Sequence, residues 1–412
     1  MFCRGLFMEN FDYQRRTFML FGRARENEVG GLVKFEGGRR VLLHFGSEAV
    51  EKPDLLDRIK RSLDRAGLEI FELSCPDGDP KLEDINKGIE FCRMHHIDAI
   101  VAVGRSNTIN SAKVISVGAI YNGDVIDFFT GIREPVHALS LGAIVTNPDA
   151  GAECSPSCSL VATINDQKQI FTKTSATFLP RFAILNPELS INISQKDTAL
   201  DAMDMIAHVI ECYFTKTQNV QITDELCEGI LRTVIKILPQ ILEEPNDIDA
   251  RGNLMLAGTL AQNGMCSLGR ETDWSVHYLE RELSNRYNSS HGAGLAVLLP
   301  AWMTYCMSAN IMRMAQFANR VFGVPINFDD PTSTARAGIL ELRNFLHRCG
   351  LPQNFIEMGL PMVDVVRLVD QLNLTNGKTI GNYVKLDAYA CESIYTIAYT
   401  YRHGQNVRRM GF

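Results

Sequence analysis

Two patterns of apolar and polar residues divide the chain. In the first half, short apolar runs typical of buried strands alternate with stretches of helical spacing. The strand-like runs are Arg40–Phe45, Leu68–Phe71, Ala99–Val103 and Ala143–Val145. Helical spacing covers residues 53–66 and 81–95, and Pro53 suits a first helical turn. This alternation predicts βαβ units around a parallel sheet.

After Pro187 the apolar residues keep to helical spacing alone, without strand-like segments. The helical stretches are residues 196–215, 223–242 and 248–263. Because 412 residues exceed what one hydrophobic core usually serves, we expect two domains. The sequence therefore predicts an α/β domain over residues 1–190 and an all-helical domain over residues 191–412.

Composition and charge argue against several classes of function. The net charge of -7 and the pI near 5.8 disfavour nucleic acid as a partner, because phosphate binding needs a concentrated basic face. The longest apolar stretches, such as residues 293–303, are shorter than the roughly 20 residues that cross a membrane, so no membrane partner is expected. Eleven scattered cysteines without a CxxC pair indicate reduced thiols and a cytoplasmic protein.

Four residues in the second half have the chemistry and spacing of metal ligands. Asp204 and His208 are four residues apart in a helical stretch, so they share one helix face. His277 and His291 are separated by a distance that suits a helix followed by a turn into another helix. One carboxylate and three imidazoles suit Fe(II) or Zn(II), whereas magnesium and calcium prefer oxygen ligands.

The alternative for these four residues is that each histidine is an ordinary hydrogen-bonded residue on its helix, since two such residues four apart also occur by chance. A metal with an open coordination position would bind the oxygen of an alcohol or aldehyde. The ligand types alone do not choose between iron and zinc.

Longer motifs connect the chain to a known family. They are Asn10-Phe11-Asp12-Tyr13, Phe21-Gly22, Tyr121-Asn122-Gly123-Asp124, Phe129-Thr130-Gly131, Leu185-Asn186-Pro187-Glu188-Leu189, the Asp204 and His208 helix, Asp273-Trp274, His291-Gly292-Ala293-Gly294-Leu295-Ala296 and Pro300-Ala301-Trp302-Met303. With these motifs, which span nearly the whole chain, the sequence resembles the iron-containing (group III) alcohol dehydrogenases, especially their butanol dehydrogenase and aldehyde reductase branch.

This resemblance implies the dehydroquinate synthase-like fold, with a Rossmann-like N-terminal domain that binds NAD(P) and an all-α C-terminal domain. It implies that Asp204, His208, His277 and His291 hold iron or zinc, and that the catalytic cleft lies between the domains. It also implies a small-molecule alcohol or aldehyde as the substrate and a homodimer as the assembly.

The first nucleotide loop departs from the family pattern. Where the family has a GGGS pyrophosphate loop, this chain has Gly104, Arg105, Ser106 and Asn107, so two of the three glycines are missing. Glycines in such a loop let backbone amides approach a pyrophosphate at a helix N-terminus. Arg105 either pairs with a phosphate and compensates in part, or fills the groove with its bulk.

A second departure lies at Gly46, Ser47 and Glu48, where the aldehyde reductase branch has another GGGS that receives the adenosine ribose and its 2'-phosphate. A carboxylate at Glu48 would repel a 2'-phosphate and accept hydrogen bonds from ribose hydroxyls, which predicts NAD(H) over NADP(H). The alternative is that Glu48 is a solvated surface residue.

Further cofactor positions follow from the resemblance. The family's third loop, TxxATGSE, begins here with Thr146 and Asn147 and has alanines in place of one threonine and the serine. Lys168 falls at the family's ribose-contacting lysine, and Leu185 falls at a residue that packs near the nicotinamide. We expect all four residues to contact the cofactor.

The position four residues after His277 departs from the family in a way that bears on mechanism. The family carries a histidine there, near the nicotinamide and the substrate, whereas this chain has Arg281. Arginine stays protonated and is a poor general acid or base at neutral pH. It suits a bidentate contact with a carboxylate or phosphonate, so we expect Arg281 to contact an anionic substrate.

The leading hypothesis is a metal-dependent, NAD(P)-linked oxidoreductase that interconverts a primary alcohol and its aldehyde. The alternative is a divergent family member with altered cofactor use, either an enzyme with metal-dependent lyase-type chemistry or a catalytically silent binding protein, since a fold alone does not determine function.

Overall fold

The computed structural model describes residues 8–13, 16–52, 54–148, 151–164, 167–375 and 377–402. These residues group into two compact units. The α/β unit comprises Asp12–Ile193 and Glu244–Gly264. The helical unit comprises Met1–Phe11, Ser194–Glu243 and Met265–Phe412, as far as they are described.

The strands of the α/β unit form one parallel sheet and one hairpin. The described strands are β1 (Phe18–Phe21), β2 (Arg40–Phe45), β3 (Glu69–Ser74), β4 (Ala99–Gly104), β5 (Ser140–Val145), β6 (Ser157–Ile164), β7 (Gln167–Thr174) and β8 (Phe182–Leu185). Six of them form a sheet of order β1-β8-β5-β4-β2-β3, in which every neighbouring pair is parallel. The predicted parallel sheet is thereby confirmed, and β6 pairs antiparallel with β7.

Helices cover both faces of the sheet. In β4, Val101 and Val103 point into one core and Ile100 and Ala102 into another, because successive residues of a strand face opposite sides. The first core includes residues of α1 and α3, and the second includes residues of α4 and α5. The helices are α1 (Val29–Phe35), α2 (Ser47–Val50), α3 (Leu55–Arg65), α4 (Leu82–Met94) and α5 (Ser106–Gly118). Burial on both faces explains the continuous apolar run of β4.

The helix predicted over residues 53–66 corresponds to α3. Pro53, which was expected in its first turn, lies outside the described residues. That helix begins at Leu55.

After Ser194 the described chain is mainly helical, as predicted. The helices are α6 (Gln195–Tyr213), α7 (Gln221–Glu243), α8 (Ile248–Gln262), α9 (Ser275–Tyr287), α10 (His291–Cys306), α11 (Ile311–Phe322), α12 (Pro331–Arg348), α13 (Val365–Gln371) and α14 (Ala388–Thr400). The three helices predicted at residues 196–215, 223–242 and 248–263 correspond to α6, α7 and α8.

The grouping into units differs from a single division between residues 190 and 191. The chain changes unit between Ile193 and Ser194, but α8 groups with the α/β unit. The reason is its packing, since Met255 of α8 belongs to the core beneath α4 and α5. In addition, Thr259 of α8 donates a hydrogen bond to the buried Glu153. The predicted domain boundary between residues 190 and 191 stays a prediction.

Helix α10 forms the centre of the helical unit. With the short turn after it, residues 291–309 are long and apolar enough to cross a membrane by composition alone. Most of these residues are buried, and α10 packs against α6, α9, α12 and α14. The apolar composition of α10 is therefore that of a helix buried inside a helical core.

Candidate metal centre and nucleotide loops

Helix α6 supplies the first two predicted metal ligands. Its N-terminus is capped by Ser194, whose hydroxyl accepts a hydrogen bond from the Asp197 N–H at 3.0 Å. Asp204 and His208 lie one turn apart on α6, and Nδ1 of His208 is 3.0 Å from both the backbone oxygen and Oδ1 of Asp204. The predicted common face is therefore present.

Three of the four predicted ligands converge on one point. The ligand atoms of Asp204, His277 and His291 all lie within 4.8 Å of one another. Oδ1 of Asp204 is 3.6 Å from Nε2 of His277 and 3.5 Å from Nε2 of His291. Metal bonds of about 2.0–2.1 Å in a tetrahedral arrangement would separate neighbouring ligand atoms by roughly 3.3 Å. The observed separations are thus close to those of a metal site.

Two atoms of this cluster are buried without a hydrogen bond of regular geometry to any described residue. They are Oδ1 of Asp204 and Nε2 of His277. An unsatisfied polar atom in a protein interior lowers the stability of the fold by about 1–3 kcal/mol. Because Oδ1 of Asp204 and Nε2 of His277 are 3.6 Å apart, one partner bound between them would satisfy both. A divalent cation meets that need, and an oxygen donor with imidazole nitrogens suits Fe(II) or Zn(II).

The buried Glu211 orients His277. One carboxylate oxygen of Glu211 contacts Nδ1 of His277, and the other accepts a hydrogen bond from the Val276 N–H at 2.7 Å. Because a carboxylate only accepts, Nδ1 must carry the proton, which leaves the lone pair on Nε2 for a metal. Glu211 therefore fixes both the tautomer of His277 and the start of α9.

Glu280 has the same relationship to His291. It is 1% exposed and contacts Nδ1 of His291 through one carboxylate oxygen, while the other accepts from the Ser284 hydroxyl. The motif His291-Gly-Ala-Gly explains how α10 approaches Glu280 so closely. A Cβ atom at Gly294 would lie 2.7 Å from Oε1 of Glu280, and one at Gly292 would lie 2.5 Å from the Leu200 carbonyl oxygen.

The sequence prediction missed the roles of Glu211 and Glu280. Their spacing contained a signal, since Glu211 is two helical turns after Asp204 and Glu280 is three residues after His277. Carboxylates that share a helix face with metal-binding candidates suit the task of holding imidazole rings.

Asp273 holds the beginning of α9 in place. One carboxylate oxygen accepts the Ser275 N–H at 2.9 Å, and the other accepts the N–H groups of Asn382 at 2.9 Å and Tyr383 at 2.6 Å. Its own N–H donates to the Glu211 carbonyl oxygen at 3.0 Å. The position of His277 therefore depends on contacts with chain segments far away in sequence.

The charges of the cluster favour a cation. Burial raises the pKa of Asp204, but the neighbouring histidines outweigh burial and hold that pKa well below its usual value. Burial lowers the pKa of His277, yet Glu211 and Asp204 raise it to about 9. For His291, whose side chain is 46% exposed, Glu280 and Asp204 outweigh burial and raise the pKa well above its usual value. A metal ion that binds here therefore replaces protons.

His208 borders the cluster. Its ring centroid is 4.4 Å from that of His277 and 5.4 Å from that of Trp274. Because Nδ1 of His208 faces Asp204, a fourth metal bond through His208 would have to come from its other ring nitrogen, and the assignment stays a prediction.

Arg281 lies on α9, one turn beyond His277 and on the same helix face. Its side chain is half-buried, and its guanidinium carbon lies 5.5 Å from the centroid of the Tyr278 ring. It also lies close enough to Glu282 to lower the pKa of that carboxyl, which burial raises more strongly. Its contact with substrate stays a prediction.

In the α/β unit, most of the predicted cofactor residues follow the carboxyl ends of neighbouring parallel strands. Gly46, Ser47 and Glu48 follow β2, and Thr146 and Asn147 follow β5. Gly104 ends β4 and leads into Arg105, Ser106 and Asn107, while Leu185 ends β8. In doubly wound sheets, ligands bind at this edge. The structure therefore brings these predicted residues to one edge of the sheet.

The loop between β3 and α4 adds contacts that the sequence prediction missed. Asp77 accepts a hydrogen bond from the Ser47 hydroxyl at 2.5 Å, and the Gly78 carbonyl oxygen accepts one from the Asn107 side chain at 3.0 Å. Nζ of Lys168, on β7, lies 3.8 Å from Oδ2 of Asp79. This loop thus joins the two predicted nucleotide loops and the hairpin.

Buried residues after β5 and at the end of β8 support this edge. The Thr146 N–H donates to the Gly104 carbonyl oxygen at 3.2 Å, and the Thr146 hydroxyl donates to Asn147. Leu185 is fully buried in the sheet core. Asp149 and Ala150 of the third loop lie outside the described residues.

The cysteines close to these loops are buried, and the pKa of Cys158 is that of a thiol without activation. Cys154 and Cys158 are buried and not disulfide-bonded, and burial raises the pKa of Cys158 to about 12. Nearby Lys113 is also buried, and its ammonium group donates to the carbonyl oxygens of Ser155 at 2.9 Å and Ser157 at 2.8 Å. Lys113 therefore has a structural role in holding the chain that enters β6.

Comparison with known proteins gives the same assignment along the whole chain. The family profile "Iron-containing alcohol dehydrogenase" matches residues 17–187, and the profile "Fe-containing alcohol dehydrogenase family, C-terminal" matches residues 198–399. The chain is 32% identical over 380 residues to a probable NADH-dependent butanol dehydrogenase 1 of Bacillus subtilis, covering 92% of this chain and 97% of the relative.

Two further proteins extend this similarity. The NADPH-dependent aldehyde reductase YqhD of Escherichia coli is 29% identical over 369 residues, which cover 89% of this chain and 93% of the relative. The crystal structure of NADH-dependent butanol dehydrogenase A from Thermotoga maritima has a TM-score of 0.89 at 29% identity and covers 96% of this chain and 100% of its own. Together with the metal cluster and the parallel sheet, these matches confirm the resemblance, and the chain belongs to the iron-containing alcohol dehydrogenase family.

Proposed function

We propose that this chain is a metal-dependent, NAD(P)-linked oxidoreductase that interconverts a primary alcohol and its aldehyde. The observation that carries the proposal is the convergence of Asp204, His277 and His291, with two buried ligand atoms that lack regular hydrogen bonds. The similarity to dehydrogenases and reductases in both halves favours this function over lyase-type chemistry or a silent binding protein.

The residues of the chain have distinct roles in this proposal. Asp204, His277 and His291 would hold the metal, with His208 as the fourth predicted ligand, and Glu211 and Glu280 keep two imidazoles in the metal-binding tautomer. A divalent ion bound there acts as a Lewis acid on the oxygen of an alcohol or aldehyde. Iron is the metal of the family, and we propose Fe(II), with Zn(II) as the alternative.

For the nicotinamide cofactor we propose NAD(H) in preference to NADP(H). The support is the acidic Glu48 in the first turn after β2, at the edge where the predicted cofactor residues gather. A negative charge near this edge disfavours the additional phosphate of NADP(H). Relatives of both cofactor types are similar to this chain, so their names do not decide the preference.

For the substrate we propose a small aldehyde or alcohol, with anionic aldehydes as the preferred class. Arg281, one helical turn after the metal-binding candidate His277, has a guanidinium group that suits a bidentate contact with a carboxylate or phosphonate. Because arginine does not readily exchange a proton, the substrate proton would pass through water or a ribose hydroxyl. The predicted homodimer and cytoplasmic location stay predictions.

The proposal is tested with protein loaded separately with Fe(II), under anaerobic conditions, and with Zn(II). We expect NADH to be oxidised in the presence of butanal, faster than NADPH, and we expect Asp204→Asn to lose both bound metal and activity. The exposed Glu271→Gln serves as a charge-matched control. Absence of saturable NADH and NADPH binding by the metal-loaded protein would exclude the redox function.

A further inference from the structure

The loops after β2 and β4 form one connected structure. β2 lies between β3 and β4 in the sheet, so chain order reverses beside it. The Gly46 N–H donates to the Val103 carbonyl oxygen at 3.0 Å and ties the two loops together. In doubly wound sheets, ligands bind in the crevice at such a reversal, outside the carboxyl ends of the strands.

Glu48 places its carboxylate across both loops. Oε1 of Glu48 accepts a hydrogen bond from the Arg105 backbone N–H at 2.8 Å. A Cβ atom at Gly104 would lie 2.8 Å from Oε1, and one at Gly46 would lie 2.4 Å from Oε2. The carboxylate therefore occupies the space that the missing side chains of these two glycines leave open.

The first turn of α5, which begins after Arg105, has a second internal acceptor. Oδ1 of Asn107 accepts the Thr108 N–H at 2.8 Å, while the side-chain nitrogen of Asn107 donates to the Gly78 carbonyl oxygen. Backbone N–H groups at the start of such a helix are the donors that a pyrophosphate uses. In this chain, Glu48 already accepts the Arg105 N–H and Asn107 already accepts the Thr108 N–H, so side chains of the protein occupy two of these donors.

We propose that Glu48 is an internal anion at the phosphate position of the nucleotide site, and that a dinucleotide binds only by displacing it. This inference rests on the proposed use of NAD(H) or NADP(H). This role differs from the ribose contact expected from the sequence. The Glu48 carboxylate, bound to the Arg105 N–H, would repel the pyrophosphate of any dinucleotide, with or without a 2'-phosphate. Glu48 is therefore a residue that sets nucleotide affinity.

Glu48→Gln tests this role because it keeps the shape of the side chain and removes its charge. Glu48→Ala removes the acceptor altogether, and the exposed Glu51→Gln makes the same change of net charge nearby. The probes are NADH, followed by nicotinamide fluorescence, and ADP-ribose and adenosine, followed by calorimetry. Thermal melting of each variant verifies that it is folded.

We expect Glu48→Gln and Glu48→Ala to lower the Kd of NADH and of ADP-ribose by about tenfold, the scale of one close charge repulsion near a protein surface. Glu51→Gln should match the wild type, and the Kd of adenosine, which has no phosphate, should not change. The wild type should bind NADH and ADP-ribose saturably, but more weakly than both Glu48 variants.

Equal or weaker binding of NADH and ADP-ribose by folded Glu48→Gln and Glu48→Ala would overturn the inference and leave the proposed function standing. An equal gain for adenosine would also overturn it, since the effect would then not involve the phosphates. If none of the proteins binds NADH, NADPH or ADP-ribose, the proposed function fails together with the inference.

Discussion

Glu280 contacts Nδ1 of His291, and the opposite ring nitrogen of that histidine lies 3.5 Å from Oδ1 of Asp204. The carboxylate is thus connected to the ligand cluster through one imidazole ring, without belonging to the cluster itself. Glu211 repeats the arrangement at His277. Both histidines are held by buried carboxylates, which makes their orientation independent of the metal.

We expect Glu280→Gln to weaken metal binding by about 10–100-fold while the protein remains folded, because the amide no longer enforces the Nδ1–H tautomer of His291. Competition with a chromophoric chelator measures the affinity for Zn(II). The exposed Glu271→Gln should bind metal like the wild type. An affinity equal to that of the wild type would show that Glu280 has no role in orienting His291.

Gly294→Ala should disturb the metal site through Glu280, by crowding the carboxylate oxygen that does not contact His291. The new Cβ would lie 2.7 Å from Oε1 of Glu280, so the carboxylate or α10 must move. We expect a loss of about 1–3 kcal/mol in the free energy of unfolding, together with weaker metal binding. Denaturant unfolding and chelator competition measure the two effects.

Gly229→Ala, in the interior of α7, is the matched control, because nothing lies within 4 Å of the added Cβ. It should raise the free energy of unfolding by up to about 1 kcal/mol and leave metal binding unchanged. If both glycine substitutions behaved alike, close packing against Glu280 would not be the reason for Gly294.

Arg281 should discriminate between anionic and neutral aldehydes. We expect Arg281→Ala to lower kcat/KM for an aldehyde that carries a carboxylate by about tenfold or more relative to butanal, since a charge-assisted hydrogen bond is worth roughly 1.5–3 kcal/mol. Arg281→Lys should retain part of the preference. An unchanged ratio of the two kcat/KM values in Arg281→Ala would remove the anion-binding role.

Buried His44 should make stability depend on pH. Its Nδ1 bonds with the Leu73 carbonyl oxygen at 3.0 Å and its Nε2 with the Ser111 hydroxyl at 3.1 Å. Burial lowers the pKa of His44 to about 4, although the bond with Leu73 raises it slightly. Because the unfolded chain binds a proton near pH 6.5, the unfolded state takes up more protons between pH 4 and 6.5.

This contribution is complete above pH 6.5 and is lost as the pH falls toward 4. We expect it to remove about 2 kcal/mol from the free energy of unfolding between pH 7.5 and 5. In denaturant unfolding at these two pH values, His44→Gln should lose less stability than the wild type, whereas the exposed His137→Gln should lose the same amount. Equal losses in all three proteins would contradict the assignment to His44.

The sequence predicted β2, β3, β4 and β5 of the parallel sheet but not its two shortest strands, β1 and β8, nor the hairpin of β6 and β7. β4 is fully buried and apolar throughout, so its pattern has few alternatives. β1 and β8 are only four residues long, and β6 and β7 contain many serine, threonine and glutamine residues, which also suit loops. The strand conformation of β1 and β8 depends on pairing with segments far away in sequence, which a local pattern does not contain, whereas β6 and β7 pair with each other.

The common helix face of Asp204 and His208 followed from their spacing, whereas their grouping with His277 and His291, which lie on α9 and α10, was implied by the resemblance to the family. The direction of a single side chain was not predictable in the same way. Glu48 was expected to face a ribose or solvent, whereas its carboxylate bonds with the backbone of Arg105, 57 residues later. That contact depends on the register of β2 beside β4, which is a property of the folded sheet.

The link from Asp273 to Asn382 and Tyr383 has a consequence for how the protein is made. A ribosome that has synthesised every candidate ligand up to His291 has not yet supplied the two backbone N–H groups that fix Asp273, and with it the start of α9. The nascent chain can therefore contain all candidate ligands before His277 is fixed in position. The full set of contacts that fix the start of α9 therefore requires residues from the last tenth of the chain, which follow every candidate ligand.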